Sequence, residues 1–266
     1  MLKRILYFGS LLLINISFSL DFTGEYKEYF SHLENLGHFN VYCPNNERNR
    51  IKDILNTAEE SYKEITRIFP NKLPSINILV FSSTEDYNRL FGWQCKAPDW
   101  AKGQYRKDMV ILINPDKNRN WLKNIIEHEL THVFIIDISR NVPNWLNEGL
   151  AQYVAKDDYV YMGKSSEELM GEAFKLHNLF SLAELNQTYD NFNNDHDVKL
   201  AYREALTVTG YLVNNYGSKK IIEFIYRRKQ GNELGDDLKK VFGVSYEELE
   251  KKWLISIKNK YSAIKE

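Results

Sequence analysis

His128-Glu129-Leu130-Thr131-His132 and, after a short break, Asn144-Trp145-Leu146-Asn147-Glu148-Gly149-Leu150-Ala151 decide how this chain reads. The first segment lies inside Trp121–Ile138, which has apolar residues on more than one face, as expected of a buried helix. Two histidines four residues apart on a helix sit one turn apart on one face, so their ring nitrogens can reach a single metal ion. Glu129 is offset around the helix and can approach the metal's water without binding the metal. Catalytic zinc takes three protein ligands and keeps a fourth position open. Arg140–Pro143 is a break that lets the chain turn back, and Pro143 sits near the first turn of a helix expected over Asn144–Ala155. Glu148 on that helix is the candidate third ligand. Trp145, Leu146 and Leu150 give the helix an apolar face, and Gly149, beside the carboxylate, lets another backbone approach closely. Ile138 stands where a metzincin would have its third histidine, and Asp137, five residues from His132, points away from the metal.

Upstream of this pair the pattern is of strands. Phe39–Cys43 alternates apolar and polar residues and stops at Pro44; Ser75–Phe81 is rich in Ile and Val. Gly103–Tyr105 and Met109–Ile113 read as strands paired across the polar turn Arg106-Lys107-Asp108. Arg48–Phe69 carries apolar residues at spacings of three and four and reads as an amphipathic helix ended by Pro70. Thr84–Phe91 reads as a short helix capped by Thr84. From Ser165 onward nearly everything reads helical, apart from an Asn-rich loop over residues 186–197. Strands first and helices later predict an α+β protein in two lobes, about 20–139 and 140–266, with a cleft as the natural place for a site.

Composition narrows the function. With 266 residues the chain can build a core without disulfides. Lys and Arg number 35 against 36 Asp and Glu, so no electrostatic ground favours nucleic acid as a partner. Two cysteines exclude a Cys-rich zinc module. Lys3 and Arg4, the apolar run Ile5–Leu20 and Ser17-Phe18-Ser19 have the composition of a secretory signal peptide over residues 1–19. An uncleaved N-terminal anchor is the other reading. No later segment is apolar enough to span a bilayer. The chain is therefore expected to be exported, to the periplasm or beyond the cell, with residues 20–266 as the mature domain. Export permits a Cys43–Cys95 disulfide, and two buried thiols fit equally.

The two quoted segments, with Glu148 sixteen residues after His132, resemble the gluzincin metallopeptidases, and more narrowly the bacterial peptidase MA-like domains. The resemblance runs from about Phe39 to Trp253, although only the two zinc segments are specific. It implies a zincin-like, thermolysin-like fold in which a small mixed sheet lobe carries the active-site helix and a helical lobe follows. It also implies one Zn²⁺ ion held by His128, His132 and Glu148, with Glu129 as the base acting on a zinc-bound water, and a peptide or protein substrate. Tyr202 is the first candidate to donate to the developing oxyanion, with His196 and Arg203 as alternatives. Gln152, four residues after Glu148, is a candidate to orient a histidine ring. By the same resemblance the strand at Gly103-Gln104-Tyr105 is a sheet edge that holds extended substrate beside the metal. Trp93, Trp100 and Trp121 line the cleft or belong to the core. Two rivals stand beside the peptidase: a catalytically silent domain that binds a partner in its cleft, and an accidental His-Glu-x-x-His in a structural helix.

Overall fold

The computed structural model describes residues 24–91, 102–106, 109–115, 118–156, 165–187, 189, 192 and 194–262. Two compact units divide the chain, one ending at Phe134 and the next beginning at Ile135. The first unit opens with α1 (Glu25–Tyr29), β1 (His32–Leu36), β2 (Phe39–Cys43), a 3-10 turn (Asn45–Arg50) and α2 (Ile51–Ile65). It continues through β3 (Ile76–Phe81), α3 (Thr84–Leu90), β4 (Gly103–Arg106) and β5 (Met109–Ile113) into α4 (Arg119–Ile138). The described strands form one five-stranded mixed sheet in the order β1-β2-β3-β5-β4. β2, β3 and β5 run parallel, and β1 and β4 are antiparallel edges. β5 is buried at all five positions and β3 at five of six, as expected of central parallel strands covered on both faces.

The expected strands lie where the sequence puts them, including the pairing of β4 with β5, in which Gly103 faces Leu112 and Tyr105 faces Val110. Three local expectations are corrected. The long helix expected over Arg48–Phe69 is α only from Ile51 to Ile65. Beyond Ile65 the chain turns so that Phe69 is buried and Ile68 is not. Ser83, not Thr84, caps α3, accepting the Asp86 N–H at 3.1 Å. The edge strand β1 was not expected: Leu33 and Leu36 are its only aliphatic residues and both are exposed, so no buried face patterns it.

The second unit carries α5 (Asn144–Ala155), α6 (Ser166–Lys175), α7 (Leu182–Leu185), α8 (Asp195–Tyr216), α9 (Ser218–Arg228), α10 (Leu234–Phe242) and α11 (Tyr246–Tyr261). α8 begins at Asp195, capped by Asn194, so the end of the expected loop is already helical. Serine capping boxes start α6, α7 and α11. In the last, Glu248 accepts the Ser245 N–H at 2.8 Å.

The basic run Arg227-Arg228-Lys229 is partly buried. Arg228 is buried and bonds Asp237 at 2.8 Å and the Asn141 carbonyl at 3.0 Å, while Arg227 reaches Asp237 at 3.0 Å. Burial pushes the Asp237 carboxyl up, but hydrogen bonds from Asn232, Arg228 and Arg227 outweigh it and hold the group below its ordinary range. The break before α5 is thereby tied to the C-terminal helices. Cys43 is buried, and its surroundings, burial first and then Glu47 and Glu34, push the thiol up to about 11. Cys95, like residues 1–19 where a signal peptide is expected, lies outside the described residues.

Candidate active site

Helix α4 sorts its residues by face. Leu130 and Thr131 are fully buried, and the Thr131 hydroxyl donates back to the Glu127 carbonyl at 2.6 Å. His128 is half-buried and His132 buried, with their rings 4.9 Å apart and nearly perpendicular. Glu148 on α5 is half-buried. His128, His132 and Glu148 each offer one ligand atom, and these atoms all lie within 4.8 Å of one another. Two imidazoles and one carboxylate make a borderline nitrogen and oxygen donor set that suits zinc and leaves room for a fourth ligand. The group can hold a metal ion, and it is the set of three that the spacing predicts.

β4 meets α4 at the neighbouring carboxylate. Gly103 and Tyr105 share one face of the strand, because side chains alternate along it. A Cβ on Gly103 would lie 2.6 Å from Glu129 Oε1 and 2.7 Å from its Cγ, so any side chain there would force the carboxylate to move. Tyr105 stacks on the His132 ring at 4.2 Å. From the other face Gln104 accepts the Tyr87 hydroxyl at 2.6 Å, which fixes the strand's orientation. Among the described strands β4 is an edge, as expected, and its own face touches Glu129 and His132.

Gln152 does not orient a histidine ring. Its amide nitrogen donates to the Glu148 carbonyl at 3.2 Å and to the Tyr202 carbonyl at 2.7 Å, fastening α5 to α8. Gly149 completes that contact, since a Cβ there would fall on the Ala205 carbonyl oxygen and the Thr209 hydroxyl. The close backbone approach expected at Gly149 is made by α8.

A family model for the Peptidase MA superfamily matches residues 72–259, more than half of the chain and all of α4, α5 and α8. The chain belongs to the Peptidase MA superfamily. The match is consistent with the gluzincin-type resemblance of the two zinc segments, and members of this superfamily typically bind zinc. No curated protein matches the chain. Among the described residues, no helix is long and apolar enough to cross a membrane.

The remaining candidates of this superfamily domain sort by burial. Tyr202 is half-buried on α8, Arg203 beside it is buried, and His196 is exposed in the first turn of the same helix. Trp121 is half-buried on α4, and Trp93 and Trp100 lie outside the described residues. Two buried groups near Tyr202 had no sequence signal. Tyr189 sets its ring edge-on against Tyr202 at 4.9 Å. Glu204, fully buried, accepts the Phe180 N–H at 3.1 and 3.2 Å.

The Glu204 carboxyl is pushed up to about 9, by burial first; the Phe180 bond opposes this and Glu184 adds to it. A carboxyl raised in the fold favours folding fully below its unfolded pKa, and that contribution is lost as pH rises from there toward about 9. Glu204→Gln keeps the acceptor for Phe180 and removes the ionisation. The variant is therefore expected to unfold at a higher temperature than the parent at pH 8, with a smaller difference at pH 5. Thermal melts at both values check it; a difference independent of pH would contradict this reading.

Proposed function

We propose that this chain is an exported zinc peptidase that hydrolyses peptide bonds in a protein or peptide. We read its arrangement as the thermolysin-like gluzincin one, with the helix of the paired histidines following the sheet and the third ligand on the next helix. The observation that carries the proposal is the convergence of His128, His132 and Glu148 within 4.8 Å, with Glu129 beside them on α4. Bound there, zinc would supply a Lewis acid that polarises the scissile carbonyl and lowers the pKa of its water toward about 7. Glu129 takes the proton from the attacking water and passes it to the leaving amine. The low exposure of Glu129 strengthens its bonds with substrate by removing competing water. Tyr202 donates a phenolic hydrogen bond to the developing oxyanion and stays neutral throughout. The outer edge of β4, last in order among the described strands, pairs with an extended peptide backbone, so the scissile bond is drawn along the strand whose Gly103 abuts Glu129.

The test is a quenched peptide library mixed with purified, zinc-loaded protein, with and without chelator. Cleavage that stops on chelation and returns with zinc is expected. An intact library in the presence of stoichiometric zinc would favour the partner-binding rival. Absence of stoichiometric zinc would remove the metal altogether.

The strand contact gives a finer prediction. Gly103→Ala sets a methyl against Glu129 and forces that carboxylate to shift. Displacing a reacting group by about 1 Å costs on the order of 100-fold. Turnover should fall by about that factor, while zinc content and thermal midpoint stay at parental values. A variant with parental turnover would mean that Glu129 does not act from this position.

A further inference from the structure

The His132 imidazole is buried, and the Tyr105 ring lies over it with centroids 4.2 Å apart and planes 25° from parallel. These two rings meet face to face, whereas His128 meets His132 edge-on, at 77°. A histidine ring turns in a broad torsional well about its last bond, so a face laid on it fixes the plane in which its nitrogens point. Gln152, the side chain expected to orient a histidine, bonds the Glu148 and Tyr202 carbonyls instead. Tyr105 is itself held in place. It pairs with fully buried Val110 of β5, and its neighbour Gln104, on the opposite face of β4, accepts the hydroxyl of fully buried Tyr87 at 2.6 Å. Tyr87 packs on Phe81 and Phe91, with ring centroids 5.4 and 6.0 Å away. The ring on His132 is thus anchored through the core of the sheet. The spacing matches as well. Gly103 and Tyr105 are about 6.7 Å apart along the strand, and Glu129 and His132, three residues apart on α4, are about 5–6 Å apart. One strand face therefore meets the base at one step and the histidine at the next.

We propose that Tyr105 is a positioning residue of the metal centre: its ring fixes the plane of the His132 imidazole and favours the metal-bound form of that ring. This rests on the zinc reading of His128, His132 and Glu148. The preference follows from charge. An imidazole that gives its lone pair to a divalent cation becomes electron-poor, and the negative face of a phenol attracts an electron-poor ring as it attracts a cation. The neutral, metal-free ring gains less from the same stack. The difference between the two states appears as zinc affinity. An aliphatic side chain would cover His132 from water but supply neither the flat face nor the quadrupole. Nothing in this role requires Tyr105 to touch substrate. β4 then serves the site twice, with its outer edge for the peptide backbone and its inner face for the base and the histidine.

The test measures zinc affinity, by competition with a chromophoric chelator, in the full-length parent and in Tyr105→Phe, Tyr105→Val and Tyr105→Leu. The change to Val or Leu is repeated in a His132→Ala background. Phe keeps the ring. Val keeps the preference for a strand without it, and Leu keeps more of the bulk. Metal-free melts establish that each protein compared is folded at the assay temperature. A cation over a tyrosine face is favoured by about 2- to 30-fold in an equilibrium constant, so each non-aromatic variant should raise the zinc dissociation constant by about threefold or more. Tyr105→Phe should stay within about twofold of the parent, because the face remains. In the His132→Ala background the loss of the Tyr105 ring should leave the residual affinity unaltered, since the ring it covers is gone. Parental affinity in a folded non-aromatic variant, a loss in Tyr105→Phe as large as theirs, or an equal loss with and without His132 would each overturn the proposal and leave the zinc peptidase standing. A parent that takes up no zinc would bring down both.

Discussion

Glu129→Gln is expected to abolish measurable hydrolysis while leaving zinc in place. The amide has nearly the shape of the carboxylate, so it fits the same space against the bare Gly103 backbone. It cannot accept the water's proton, and loss of a positioned general base costs about 100- to 10,000-fold. The three donors that converge within 4.8 Å do not include Glu129, so zinc affinity should stay within about threefold of the parent. Glu148→Ala reverses the order of effects: it removes one of the three donors, so zinc affinity falls first and activity follows only because the metal is lost. Saturating zinc should then restore part of the Glu148→Ala activity and none of the Glu129→Gln activity. Turnover on the peptide substrate and metal content after dialysis read both. If Glu129→Gln turns over like the parent, the base lies elsewhere. If it loses its zinc, the division of labour along α4 is wrong.

The site was legible because its signals are local. The four-residue spacing of His128 and His132 needs only a helix to become a shared face, and Trp121–Ile138 had the composition to be one. Glu148 needed one further inference, that the break at residues 140–143 returns the chain, and the apolar face of Trp145, Leu146 and Leu150 made it. Gly149 was readable as a place of close approach, although only geometry names α8 as what approaches; Gly103 was readable only as part of a strand, and its contact with the Glu129 carboxylate had no signal of its own. Tyr189 and Glu204 were not legible. A phenol in an Asn-rich stretch carries no periodicity, and a glutamate on an amphipathic helix reads as solvated until α8 is seen to bury it. β1 was missed for the opposite reason, because an exposed edge strand needs no apolar alternation. Ser83 and Thr84 can both cap by chemistry, and the choice between them is one residue of chain path.

Gly149→Ala is expected to cost more than the same change at Gly171, Gly210 or Gly235, the other glycines inside described helices. The new Cβ would overlap the Ala205 carbonyl oxygen, which is backbone and cannot rotate away, as well as the Thr209 hydroxyl. The helices α5 and α8 must then separate. Overpacking of this kind costs about 1–3 kcal/mol, which for a chain of this size lowers the thermal midpoint by roughly 2–12 °C. Separation would also stretch the Gln152 bridge from the Glu148 carbonyl to the Tyr202 carbonyl, so zinc affinity should fall along with stability. Gly210, on α8, is the control. A Cβ there meets nothing within 4 Å, so Gly210→Ala gains helix propensity and no clash. It is expected to stabilise by about 0.5–1 kcal/mol and to leave zinc binding unchanged. Melts and zinc titrations of the two variants separate the roles. A Gly149→Ala protein that melts like Gly210→Ala would show that α5 and α8 do not rely on the close approach, and that glycine follows the Glu148 ligand for some other reason.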